Sequence, residues 1–223
     1  MHQQKGKKVL VYFLLLLLVG SINNIQLNKI KFLEISNIKI LGLGTKNNEI
    51  LLEQIKELEL GNIFFLDKKK IKEKIEKNNL VETYDVFKTY PSSLFINIKK
   101  TKFLAEINYK EKRFLIGSNK KLLKTSYNNK PIPFIFGNPS ITEFLSLKQK
   151  IDVSKFEYRN IENLYYFPSK RWDLKFSNGL LIKLPEKNVR EILDLVFDLL
   201  KKNKFQNFQV IDARIVNQII LNE

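Results

Sequence analysis

The sequence predicts an α+β protein with one N-terminal transmembrane helix. A small domain follows in the order strand, helix, helix, strand, strand, and then a mainly antiparallel β domain with a C-terminal helix and a closing strand. Three observations predict this. Val9 to Val19, VLVYFLLLLLV, is an unbroken apolar run preceded by Lys5, Lys7 and Lys8. Over residues 35–106 the apolar positions switch from a period of two to a helical period and back again. From Trp172 onward, Trp172, Leu174 and Phe176 alternate with polar residues, Asn178-Gly179 supplies a type I′ turn, and Leu180, Ile182 and Leu184 return.

Apolar residues of this kind contribute about −0.3 to −0.6 kcal/mol each toward insertion, so the first run contributes roughly −3 to −6 kcal/mol. At 1.5 Å per residue it covers only about half of a ~30 Å hydrocarbon core. The predicted anchor therefore spans residues 9–27, continuing through Gly20, Ser21, Ile22 and Asn23 to Leu27, and residues 1–8 form a short cytoplasmic tail. A cleaved secretory signal is the other reading, because a basic segment, an apolar run and the small residues Gly20 and Ser21 also describe one, although no A-x-A-like site is present. Under both readings the lysines stay in the cytoplasm and the rest is exported.

Composition removes several function classes. The chain has no cysteine, so a disulfide framework, a thiolate metal site and a cysteine nucleophile are all excluded, and its one histidine, His2, lies in the tail. There is no P-loop and no dinucleotide glycine fingerprint. The acids Glu191 and Asp194 stand at i, i+3 on a helix and read as a solvated face, so no catalytic, cofactor-binding or metal-binding residues are expected. The net charge of +16 raises a polyanion as partner, but only Arg113, Arg159, Arg171, Arg190 and Arg214 are arginine and the lysines spread along the whole chain. Lysine, asparagine and isoleucine share AT-rich codons, so no nucleic-acid partner is expected. The alternative function is an exported, membrane-anchored polyanion- or peptidoglycan-binding protein, with Arg171 and Trp172 as a sugar-stacking pair unless Trp172 is simply core.

In chain order, Ile35 to Leu41 reads as a strand closed by Gly42 and Gly44. Thr45, Asn47 and Asn48 offer caps to a helix with Leu51, Ile55 and Leu58 on one stripe, and Gly61 is expected to end it. Asp67 caps a lysine-rich helix with Ile71 and Ile75 inward, and Phe64, Phe65 and Leu66 between the helices are expected in the core. Val81 to Tyr90 and the alternation Leu94, Ile96, Ile98 give two more strands around a turn at Pro91, Ser92 and Ser93. A three-stranded sheet with both helices on one face buries these stripes.

The segments IKILGLGTKNNEILLEQI, LELGNIFFLD and VETYDVFKTYPSSLFINI resemble the POTRA domain of the bacterial cell-division family FtsQ/DivIB, here over residues 35–106. After the third strand Ala105 matches the family, while Lys100 and Phe103 replace the usual acid and proline; the rest, residues 107–223, resembles the family's β domain, although the turn at Ile116 to Asn119 departs from the family pattern. Pro133 to Gly137, then Arg171-Trp172 with its hairpin and Leu184-Pro185, follow in the family's order. Ile141 to Lys155 reads as a helix, as does the stretch with Val189, Ile192, Leu193, Val196, Leu199 and Leu200 on one face. Val210 to Arg214 resembles the closing strand.

The resemblance implies a non-enzymatic scaffold of the divisome at the septum. It would be a single-pass protein of the inner membrane, touching lipid through its anchor, that links early and late division proteins and recruits FtsB and FtsL ahead of FtsW and FtsI. Ile215, Val216, Asn217, Gln218, Ile219, Ile220 and Leu221 form a β-prone tail without charge or proline, and this is expected to receive a partner strand; the other reading is that it completes the protein's own sheet and leaves Arg214 in solvent. By residue match, Arg171 and Arg214 are expected to pair with acids on that partner.

Overall fold

The computed structural model describes residues 3–22, 33–124, 131–202, 208–215 and 218–222. Helix α1 (Gln3–Ile22) takes in the apolar run but begins within the lysine-bearing tail, six residues before the expected start at residue 9. No described helix is long and apolar enough to cross a membrane, and residues 23–27 of the expected span lie outside the described residues. The chain divides into two compact units, residues 1–77 with 84–98, and residues 78–83 with 99–223.

In the first unit, strand β1 (Asn37–Leu41) is followed by helices α2 (Thr45–Lys56) and α3 (Lys68–Glu76), then by strands β2 (Val81–Thr89) and β3 (Ser93–Lys100). The sheet order is β1-β3-β2, and β1 runs parallel to β3 with Ile38 opposite Leu94 and Ile40 opposite Ile96. A parallel pair needs a crossover, and the two helices supply it. Leu51 and Ile55 of α2, Ile71 and Ile75 of α3, and Leu94, Ile96 and Ile98 of β3 are buried together as predicted. Gly42 holds β1 against β3: its φ is +114°, and a Cβ there would lie 1.6 Å from the Ile98 carbonyl oxygen. No other residue fits that approach.

Three expectations fail in this unit. Thr45, Asn47 and Asn48 do not cap α2, whose N-cap is Gly44 with no side-chain hydrogen bond. Helix α2 ends at Lys56, with the cap amide of Glu57 bonded to the Glu53 and Ile55 carbonyls, so Gly61 does not cap it. Gly61 instead shapes the loop that follows, and its carbonyl accepts from Ile35 N at 2.9 Å. Phe64 and Phe65 are not core. Ile63 N donates to the Leu33 carbonyl at 2.9 Å and Phe64 N to Asn62 Oδ1 at 2.8 Å, and this turn sends Ile63 and Leu66 inward and leaves both phenylalanines outside. Asp67 does cap α3, accepting from Lys69 N at 2.9 Å.

The second unit is built on strands β4 (Phe103–Tyr109), β5 (Lys112–Gly117), β6 (Leu122–Lys124), β7 (Phe134–Phe136), β8 (Ile161–Tyr166), β9 (Trp172–Phe176), β10 (Leu181–Lys183), β11 (Val210–Asp212) and β12 (Ile220–Asn222). They form one sheet in the order β12-β11-β10-β9-β8-β7-β4-β5-β6. Most neighbours are antiparallel, but β4 with β7, β7 with β8 and β10 with β11 are parallel. Helices α4 (Ile141–Asp152) and α5 (Val189–Leu200) make two of the crossovers, and their stripes Phe144, Leu147, Ile151 and Val189, Leu193, Val196 bury against Ile135, Leu164, Trp172, Leu174, Phe176 and Ile182.

The hairpin from Trp172 has the predicted pairing but a different turn. Gly179 N donates to the Phe176 carbonyl at 2.9 Å, and positive φ is confined to Gly179, at 90°. A type I′ turn requires φ above zero at both central residues, so Ser177-Asn178-Gly179 is a three-residue loop ending in a left-handed glycine.

Candidate functional site

Alternation along β9 decides which residues can meet a partner. Trp172, Leu174 and Phe176 point into the helix-covered core, which puts Arg171, Asp173 and Lys175 on the opposite face. Trp172 is 6% exposed, its ring 4.8 Å from that of Tyr166. It is a core residue and offers no stacking surface to a sugar. Cross-strand register continues the row from Asp173 to Lys183 on β10, from Lys183 to Asp212 on β11, and from Asp212 to Ile220 on β12. On the other side Asp173 stands opposite Tyr165, and Tyr165 opposite Phe136. One band of side chains therefore leads from the aromatic pair Phe136 and Tyr165, stacked at 4.9 Å, through alternating charges to the end of the sheet.

The charges in this band shape one another. Arg214 Nε donates to Asp212 Oδ1 and Oδ2 at 2.8 and 3.0 Å, with the Arg214 amide at 3.1 Å and a further bond from its terminal nitrogen. This grip holds the Asp212 carboxyl below the usual carboxylate range. Asp173 goes the other way. Burial raises its pKa, and the positive charges of Lys183, Arg214 and Arg171 offset only part of the effect. Arg171 donates Nε to Ser169 Oγ at 2.8 Å and lies 5.8 Å from the Phe167 ring. Three cations, Arg171, Lys183 and Arg214, thus stand against two carboxylates, one with its pKa lowered and one with its pKa raised. The field beside the sheet's end is positive.

The sheet ends at β12. Ile220–Asn222 pairs antiparallel with β11 on one side, and no described strand takes the other. The expected tail is therefore only partly bare: Ile219 and Leu221 pack against the core, while Ile215 and Ile220 are exposed, Ile220 at 40%. Gln218 donates its amide to the Ile215 carbonyl at 3.2 Å, turning the chain back. Val216 and Asn217 lie outside the described residues. The fold thus puts Arg171 and Arg214 on one face, Arg214 just after β11 next to the open edge and Arg171 at the start of β9, three strands in from it. Sequence reasoning missed Asp173, Lys183 and Asp212, and the signal for them was the alternation that had already placed Trp172 and Ile182 inside.

Among the described residues no group of three or more His, Cys, Asp or Glu side chains could hold a metal ion, and His2 lies outside them. A concavity of about 770 Å³ near the end of α5 is lined by Phe156, Phe176 and Phe197 with Lys155, whose ammonium is held by Asp198 at 2.5 Å. Asp194 accepts the Lys155 amide at 2.9 Å, so it serves packing.

Residues 33–100 match the family model described as POTRA domain, FtsQ-type, and residues 106–214 match that described as Cell division protein FtsQ/DivIB, C-terminal. Among curated proteins the chain is similar to the cell division protein FtsQ of Rickettsia bellii, 23% identical over 195 residues, covering 85% of this chain and 72% of the relative. It is also similar to FtsQ of Agrobacterium fabrum, 24% identical over 190 residues, covering 82% and 59%. Among solved structures, the major extracytoplasmic domain of the trans isomer of DivIB from Geobacillus stearothermophilus aligns over 46% of this chain and 96% of that one, at 14% identity and a TM-score of 0.33.

Proposed function

Because the chain belongs to the FtsQ/DivIB family and is a cell-division protein, we propose that it acts as a non-enzymatic scaffold of the divisome. In this reading residues 9–27 anchor it in the inner membrane, with the tail cytoplasmic and the bulk periplasmic at the septum, and it recruits the FtsB and FtsL homologues ahead of FtsW and FtsI. The two segments of the chain divide the work, residues 35–106 as the POTRA domain and residues 107–223 as the domain that holds the partner.

The observation that carries the reading is the open edge of β12 beside a positive field. An added strand would satisfy the backbone groups of that edge and cover Ile220, which is β-augmentation. Arg171 stands at the start of β9, three strands in from that edge, so it would pair with an acid on a part of the partner that runs on across the same face; its guanidinium donates to the Ser169 hydroxyl. Arg214 is the weaker candidate for direct pairing, since Asp212 already occupies it, and it contributes through the field instead. A charge-assisted contact of this kind is worth roughly 1.5–3 kcal/mol, or about tenfold to a hundredfold in affinity.

The test is co-purification of the FtsB homologue with the full chain carrying Ile220→Arg or Arg171→Glu, each first checked for an unchanged melting temperature. Truncation at Arg214 is a poor probe, because it would strip Ile219 and Leu221 from the core. Loss of the partner from both variants is expected. Full retention by folded variants would move the docking site elsewhere.

A further inference from the structure

The loop between α2 and α3 presents an apolar surface that the fold does not use. Phe65 is 88% exposed and Phe64 54%, and Tyr90, at the β2–β3 turn, is 56% exposed with its ring 5.0 Å from that of Phe64. The loop is built to hold them there. Asn62 bridges to Glu34 and receives the Phe64 amide, Lys88 Nζ donates to the Phe64 carbonyl at 3.4 Å, and Asp67 is committed to capping α3. Next in sequence to the rings come Lys68, Lys69 and Lys70, all exposed and in no ion pair among the described residues. They fill the first turn of α3, which holds no acid, although a helix N-terminus disfavours cations. Helix stability therefore does not explain them.

We propose that this surface docks on the lipid bilayer, with Phe64, Phe65 and Tyr90 at the level of the headgroups and the three lysines against anionic lipid. The position supports it. Ile35 N bonds the Gly61 carbonyl and Ile63 N the Leu33 carbonyl, both at 2.9 Å, so the loop lies alongside the point where the chain enters this unit. Only residues 23–32 separate that point from α1, a reach of at most about 40 Å even fully extended. Aromatic rings of this kind favour the membrane interface. A weak apolar contact combined with basic side chains is also the pairing of signals that gives stable surface binding. The proposal rests on the reading of residues 9–27 as the anchor, which brings the bilayer within reach.

The absence of cysteine makes a single introduced thiol unique. Phe65→Cys and, as control, Lys46→Cys at the other end of α2 are each labelled with an environment-sensitive fluorophore in the full chain, reconstituted into vesicles of phosphatidylcholine and phosphatidylglycerol with or without brominated lipid. The probe at residue 65 is expected to shift to the blue and to be quenched by brominated lipid, and the probe at residue 46 to do neither. Replacing phosphatidylglycerol with phosphatidylcholine, or Lys68, Lys69 and Lys70 with glutamine, should weaken docking by roughly fivefold per lysine. A water-exposed probe at residue 65 overturns the proposal, as does a blue shift without bromine quenching, which would mean that protein covers the loop. Resistance of the vesicle-bound chain to alkaline extraction reports the anchor separately, so the anchor and the loop can fail independently.

Discussion

The two units place their aromatic residues differently: among the described residues the first buries none, whereas the second buries several while also exposing Tyr109 and Phe136. The buried core of the first is aliphatic, made by Ile40, Leu43, Leu51, Ile55, Ile63, Leu66, Ile71, Ile75, Leu94, Ile96 and Ile98, while Phe64, Phe65, Phe87 and Tyr90 are exposed. In the second, Phe144, Trp172 and Phe176 are buried, with Phe156, Tyr158 and Tyr166 packed around them. A three-stranded sheet under two short helices leaves a thin space that branched aliphatic side chains fill at normal density, whereas a nine-stranded sheet under α4 and α5 has room for rings. Residue type alone therefore does not say which aromatics stabilise the protein and which are available for other work.

The same substitution tests this contrast at both extremes. Phe144→Ala, at a fully buried position, should cost about 3–5 kcal/mol in denaturant unfolding. Ile55→Ala in the aliphatic core should cost about 2–5 kcal/mol, and a value under half a unit would mean that the α2 stripe is not buried. Between core and surface, Asp212→Asn should cost only about 0.5–1 kcal/mol at neutral pH, because its partner Arg214 is partly solvated. The stabilisation it removes is present above the usual aspartate pKa of about 3.9 and is lost as pH falls through the lowered folded value. Asp173→Asn carries the opposite sign. The raised folded pKa means that the parent loses stability as pH rises through it, so the variant should melt higher at neutral pH and match the parent in acid. The smallest effect belongs to Phe65→Ala, which should stay within about 0.5 kcal/mol of the parent. A loss as large as that of Phe144→Ala would erase the distinction between the units.

The features legible in the sequence were those set by local period. Leu51, Ile55, Ile71 and Ile75 lie on helical stripes, and Trp172, Leu174 and Phe176 on a strand alternation, and all are buried. Helix α4 carried a clearer mark than its stripe: Ser140 and Glu143 form a capping box, with Glu143 N on Ser140 Oγ at 3.2 Å and Ser140 N on Glu143 Oε2 at 2.8 Å. What could not be read depends on partners distant in sequence. Hydrophobicity assigned Phe64 and Phe65 to the core, but the backbone bonds from Leu33 and Ile35 decide how that loop turns. The type I′ assignment at Asn178-Gly179 failed because Ser177 joins the turn, its amide bonded to the Asn160 carbonyl at 2.9 Å. The tail from Ile215 read as one bare strand because nothing local shows that Ile219 and Leu221 face the core while Ile220 does not. The same holds at the candidate site, where Arg171 and Arg214 were visible as a family match but the row joining them exists only through the register of three strands.

The parallel pairing of β10 with β11 has a consequence for timing. Leu181–Lys183 and Val210–Asp212 lie side by side only after the intervening chain, α5 included, has crossed the sheet, and β12 can then close on β11 alone. Synthesis proceeds from the N-terminus, so every other strand of this sheet is available before its edge is. A chain interrupted anywhere before residue 220 lacks β12 altogether. The open edge therefore exists only in chains in which β11 and β12 have already paired.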